Sequence, residues 1–93
     1  MSKIKVFIVD DHAIVRMGLK ALLSSQTDME VVGEAGTSAE ALRGLASLKP
    51  DVILMDVRIP GEGGIETTRQ ITRQFPQMKV VILTSYADEV APH

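Results

Sequence analysis

Cysteine is absent from this 93-residue chain, which excludes disulfides, thiolate metal sites and thiol catalysis. Tryptophan is absent too, and aromatic residues make up 3% of the chain, so a core must be assembled from Val, Ile, Leu, Ala and Met. No apolar run approaches the length of a membrane span. The opening MSKIKVFIVDD holds too short an apolar stretch for a signal peptide, and two acids follow it at once. Neither sign of charge dominates: a formal net charge of −2 gives no general pull towards nucleic acid or an anionic membrane. Repeats, low-complexity tracts and linkers are missing as well. These absences lead to the expectation of a cytoplasmic protein. What is present, 45% hydrophobic and 24% charged residues, suits one small globular domain over residues 1–93.

Four apolar runs alternate with helix-like stretches. Ile4–Val9 reads as a first strand and MEVVGEA, around Glu30–Glu34, as a second; DVILM (Asp51–Met55) and KVVIL (Lys79–Leu83) read as the third and fourth. The last two are nearly continuous aliphatic runs, the pattern of strands that a parallel sheet buries on both faces. Val15, Leu19, Leu22 and Leu23 fall at helical spacing, as do Leu42, Leu45 and Leu48. Thr37 and Glu40 open the second of these helices at capping-box spacing. Ile71 and Phe75 lie one turn apart before Pro76, which cannot continue a helix. The order β-α-β-α-β-α-β predicts an α/β fold with right-handed crossovers. ADEV, after the fourth strand, looks like the start of one more helix.

Functional groups in doubly wound sheets collect at the carboxyl ends of the strands. Here the first strand runs into Asp10-Asp11, the third into Asp56, and the fourth into Thr84-Ser85. In a sheet of order 2-1-3-4 these three strand ends are neighbours, and three carboxylates and a hydroxyl converge. Close carboxylates repel one another unless a cation neutralises them. With only oxygen ligands on offer, and His12 too isolated to suggest zinc, Mg²⁺ is the natural choice. Mg²⁺ at a carboxylate cluster points to phosphate chemistry. Each residue also has a plainer reading. Asp10 or Asp56 alone is ordinary turn chemistry, Asp11 alone could cap the first helix, and Thr84 could cap the next. PGEGG lacks the Gly-Lys-Ser/Thr ending of a phosphate-cradling loop and reads as a turn. Arg58, Arg69 and Arg73 read as solvated surface, and the five methionines as core filler.

VFIVDDHAIVRMGLKALL, DVILMDVRIPGEGGIE and VVILTSYADE together resemble the receiver domain of bacterial two-component response regulators. The Asp-Asp-His start, VVGEAGTSAEAL and the Leu-Thr-Ser-aromatic ending look most like the subgroup with a LuxR-type (NarL/FixJ-like) helix-turn-helix output domain. The resemblance covers Ile4 to Glu89 and implies a flavodoxin-like doubly wound parallel sheet of order 2-1-3-4. It implies that Asp56 accepts a phosphoryl group from a phosphohistidine on a sensor histidine kinase. It also implies that Asp10, Asp11 and Asp56, with the backbone carbonyl of Arg58, hold Mg²⁺, and that Thr84 bonds the phosphoryl group and moves, altering a dimerisation surface. Such a protein is a phosphoacceptor, not a turnover enzyme, and no membrane or nucleic acid is expected on this segment.

Receivers normally continue through a full fourth helix, a fifth strand and a fifth helix, and that stretch carries a lysine and a switch aromatic. Lys79 is at the wrong end of its strand to replace the lysine, and Tyr86 follows Thr84 too closely to be the aromatic. The family's Met-Pro is Ile59-Pro60 here. A receiver-like domain incomplete at its C-terminus, with no output domain, is therefore expected to form a homodimer or a domain-swapped oligomer. The alternative is a non-switching dimerisation or interaction module that is not productively phosphorylated. An aspartyl-phosphate phosphatase is the third reading, and DDH does not match the Asp-x-Asp such enzymes carry.

Overall fold

The computed structural model describes residues 3–83. Along it alternate β1 (Ile4–Val9), α1 (Ala13–Ser24), β2 (Met29–Ala35), α2 (Ser38–Leu48), β3 (Val52–Asp56), α3 (Gly63–Gln74) and β4 (Lys79–Leu83). All the strand pairs are parallel, as the alternation predicts, and the order is β2-β1-β3-β4, the order the resemblance implies. Thr84, Ser85, Tyr86 and the expected ADEV helix lie outside the described residues.

Side chains alternate across each strand. Phe7 and Val9 of β1 and Ile53 and Met55 of β3 join Ala35, Ala41, Leu45, Ile59, Ile71 and Met78 in one buried cluster under α2 and α3. The two described phenylalanines, Phe7 and Phe75, both pack here. Phe7 is accommodated by glycine: a Cβ on Gly33 or on Gly44 would stand 2.8 Å from the ring. Those two bare positions let α2 settle closely over β1 and β2. Met55 and Met78 are core filler as expected, whereas Met17 is exposed.

Three details depart from the sequence reading. β3 starts at Val52 and runs through Asp56, so the acid closes the strand instead of following it. Asp51 is drawn off by Lys5, donating its N–H to the Lys5 carbonyl at 2.9 Å and accepting the Lys5 N–H on its carboxylate at 2.8 Å. Second, α1 buries none of its residues. Leu19 and Leu23 are half-buried against the sheet, but Val15 and Leu22 face outward. Third, β4 is not buried on both faces. Val80 packs on the core, while Val81 on the opposite face is 46% exposed. β4 is the outer strand of the described sheet, where neighbouring elements cover less of each face.

The capping box of α2 forms in a shifted version. Thr37 accepts the Glu40 N–H at 3.2 Å, and Glu40 in turn accepts from the Gly36 N–H at 2.9 Å, one residue before the cap. Its carboxylate thereby fastens the β2–α2 turn to the helix. α3 ends at Gln74, two residues before Pro76, as expected from the ring that cannot continue it.

Candidate functional site

β1 and β3 lie side by side in parallel, Val9 opposite Met55, so their carboxyl ends open on the same edge. Asp10 is the first residue past β1 and Asp56 the last of β3. Both are buried, 6% and 7% exposed. Ligand atoms of Asp10, Asp11, His12 and Asp56 all lie within 4.8 Å of one another. The three predicted carboxylates thus come together, and His12 comes with them.

Each acid is held by a specific contact. Asp10 donates its N–H to the Ala35 carbonyl at 3.0 Å, continuing the bond pattern of β1 with β2 by one residue. Its Oδ1 accepts the His12 N–H at 2.8 Å, a side-chain turn of the kind Asp favours. Asp56 Oδ1 accepts the Arg58 N–H at 3.2 Å, so the loop after β3 turns around its own carboxylate. Asp11 is more open and does not cap α1: His12 occupies the cap position and makes no side-chain cap bond.

His12 corrects the sequence reading. Its Nδ1 is 3.0 Å from Asp10 Oδ1 and 3.0 Å from Asp11 Oδ1, so it is not isolated from the acids. The hydrogen bond to Asp10, and then the charge of Asp11, hold the imidazole above its ordinary pKa. A cationic imidazole is a weak substitute for a metal here, because the ring lies mostly in solvent. Direct succession to two acids at the cap of a helix was the available signal.

Oxygen donors from two buried carboxylates and one exposed carboxylate are the chemistry a hard cation such as Mg²⁺ takes, with water completing its shell. The donor set fits that ion. Thr84 follows the last described residue of β4, and Leu83 pairs with Asp56; the predicted hydroxyl itself lies outside the described residues.

Two supports of this edge escaped the sequence reading. Ser38 and Thr67 form a buried hydroxyl pair at 2.7 Å. The Ser38 N–H donates to the Pro60 carbonyl and its hydroxyl accepts the Glu62 N–H, pinning the loop between β3 and α3. Gly64 donates its N–H to the Val57 carbonyl at 2.8 Å, drawing the start of α3 onto the backbone beside Asp56. Ser, Thr and Gly near the starts of helices carry no distinguishing pattern in one sequence, and the hydroxyl pairing spans 29 residues.

Residues 6–92 match the response regulator receiver domain. The chain belongs to the response-regulator receiver family. Among curated relatives, this receiver is 49% identical over 86 residues to the transcriptional regulatory protein LiaR of Bacillus subtilis, an overlap covering 92% of this chain and 41% of LiaR. Over a similar span it is 48% identical to the response regulator VraR of Staphylococcus aureus. The receiver thus spans about two fifths of the length of these relatives, which are regulators and not turnover enzymes. Among solved structures, the response regulator domain of Thermotoga maritima CheB superposes with a TM-score of 0.85 at 42% identity, over 96% of this chain and 66% of that one. Its likeness confirms the flavodoxin-like receiver fold.

Proposed function

We propose that this receiver accepts a phosphoryl group on Asp56 from the phosphohistidine of a sensor histidine kinase, in a Mg²⁺-dependent transfer, and signals to transcription through dimerisation. The observation that carries the proposal is the meeting of Asp10, Asp11 and Asp56 at the shared end of β1 and β3 in a chain of this family. Asp10 and Asp11 would hold the metal together with Asp56, assisted by the backbone carbonyl of Arg58, and Thr84 would bond the transferred group. When bound, the metal neutralises the negative charge that otherwise keeps a carboxylate from approaching a phosphoryl group.

The protein's own work is placement. The Arg58 N–H fixes one oxygen of Asp56, and we assign the attack on phosphorus to the other. As the new O–P bond forms, the P–N bond to the kinase imidazole breaks, and the electron pair leaves with that nitrogen. Phosphoryl transfer of this kind asks little covalent chemistry of the protein beyond positioning and charge stabilisation. A phosphorylated Asp56 would then present new acceptor oxygens beside the end of β4.

Dimerisation is supported by the relatives: a solved structure of two RcsB dimers bound to two parallel DNAs superposes with a TM-score of 0.84 at 32% identity, covering 89% of this chain and 45% of that one. The outward apolar residues of α1, among them Ile14 and Leu22, also favour the second reading, an association module that is not productively phosphorylated. One experiment separates the two. Intact mass after incubation with acetyl phosphate and Mg²⁺ is expected to show a single phosphoryl adduct on the parent chain. The adduct should be missing from Asp56→Asn and from a metal-free sample. A folded parent chain that takes no adduct leaves the association module as the better account.

A further inference from the structure

Where β1 ends, the carbonyl of Asp10 passes out of the strand ladder. It is taken by Arg16 of α1, whose Nη1 donates to it at 2.6 Å. The same guanidinium donates through Nε to Glu34 of β2 at 2.8 Å, and Lys20, one turn further along α1, donates to the other oxygen of Glu34. One planar fork therefore spans the helix, the neighbouring strand and the peptide between the two acids. Because that peptide is rigid, holding its carbonyl sets the direction in which the chain leaves Asp10 and enters Asp11. Room for the guanidinium comes from Gly36, where an added Cβ would stand 3.3 Å from Nη1 and 3.8 Å from the Asp10 carbonyl.

We propose that Arg16 is a positioning residue of the acid pocket: by tying the Asp10 carbonyl to Glu34 it sets the two carboxylates at the spacing a divalent cation needs. The proposal rests on the reading that Asp10, Asp11 and Asp56 bind Mg²⁺. Its sign distinguishes it from a simple charge effect. Arg16 is a cation next to a cation site, so if it acted by charge its removal would tighten metal binding. Acting by position, its removal loosens the site. A lysine can stand in only in part, since a single ammonium lacks the fork that reaches two acceptors in fixed directions.

The test is calorimetric titration of the 93-residue chain with Mg²⁺, for the parent, Arg16→Met and Arg16→Lys, each paired with a metal-free thermal melt. Arg16→Met is expected to bind Mg²⁺ about tenfold more weakly, the scale on which loss of an outer support loosens a metal site, and Arg16→Lys to recover part of the loss. Equal or tighter binding by folded Arg16→Met overturns the proposal. Should Arg16→Met fail to fold, Arg16→Lys decides: parent affinity overturns the role and weaker binding supports it. A parent that binds no Mg²⁺ overturns the cation reading and this role with it. Parent binding with unaffected variants removes Arg16's role alone.

Discussion

As the proposed phosphoacceptor, Asp56 would need to be both exposed enough to meet a phosphoryl group and fixed enough to aim at it, and small residues nearby decide how well it is fixed. Gly64 is buried under the end of β3; a Cβ there would lie 2.3 Å from the Asp56 carbonyl oxygen and 2.7 Å from the Val57 Cα. Those neighbours are backbone and cannot rotate aside. Gly64→Ala is therefore expected to cost about 1–3 kcal/mol of stability, the range for overpacking a tight site, read by urea unfolding. A change within a few tenths would show that the start of α3 can shift freely, and the account of this contact would fail. The meeting of Asp10, Asp11 and Asp56 was legible in the sequence because acids at the ends of apolar runs stand out. His12 and Arg16 were not, because their partners are set by the turn into α1 and by a strand 18 residues away.

At the scale of elements, α1 depends on few contacts. It buries no residue fully; Leu19 and Leu23 are half-buried, Arg16 and Lys20 pair with Glu34, and Arg16 holds the Asp10 carbonyl. The hydrogen bond from Lys20, followed by that from Arg16, holds the Glu34 carboxyl below its usual value, against partial burial that pushes it up. A folded-state pKa below the unfolded one adds stability that is present above the unfolded value and is lost as pH falls through the folded one. Glu34→Gln is accordingly expected to be less stable than the parent at pH 7, by less than about 1 kcal/mol for a pair this open to solvent. Urea unfolding at pH 7 and again near pH 3 checks this: the gap should close on acidification, and a gap independent of pH would remove the ionic contribution. The strands and helices themselves were readable, since aliphatic runs and 3.6-residue spacing alternate cleanly. The one-residue shift at β3 was not, because Asp51 is claimed by Lys5 of another strand.

Across the whole molecule, apolar surface remains outside the core among the described residues. α2 and α3 enclose the buried cluster, while α1 leaves Ile14 80%, Met17 64% and Leu22 64% exposed. β4 likewise leaves Val81 and Ile82 open. Apolar surface of this kind gains on association, at roughly 25 cal/mol for each Å² removed from water. Light scattering across the micromolar range is expected to show a mean mass rising with concentration. A constant monomer mass, with a sharp cooperative melt, would count against self-association. No helix among the described residues is long and apolar enough to cross a membrane.

The sequence by itself determined the alternation of strands and helices, the parallel sheet they imply, and the strand ends at which the acids fall. These are local properties: periodicity, caps and breakers act over a few residues, and a parallel sheet aligns carboxyl ends whatever the details. Only the tertiary structure decided which of the apolar residues are buried and what holds the acids in place. Leu19 and Leu22 read alike at helical spacing, yet one faces the sheet and the other water. The guanidinium of Arg16 finds the Asp10 carbonyl only because α1 folds back along β1 and β2, and that return is a property of packing, not of spacing.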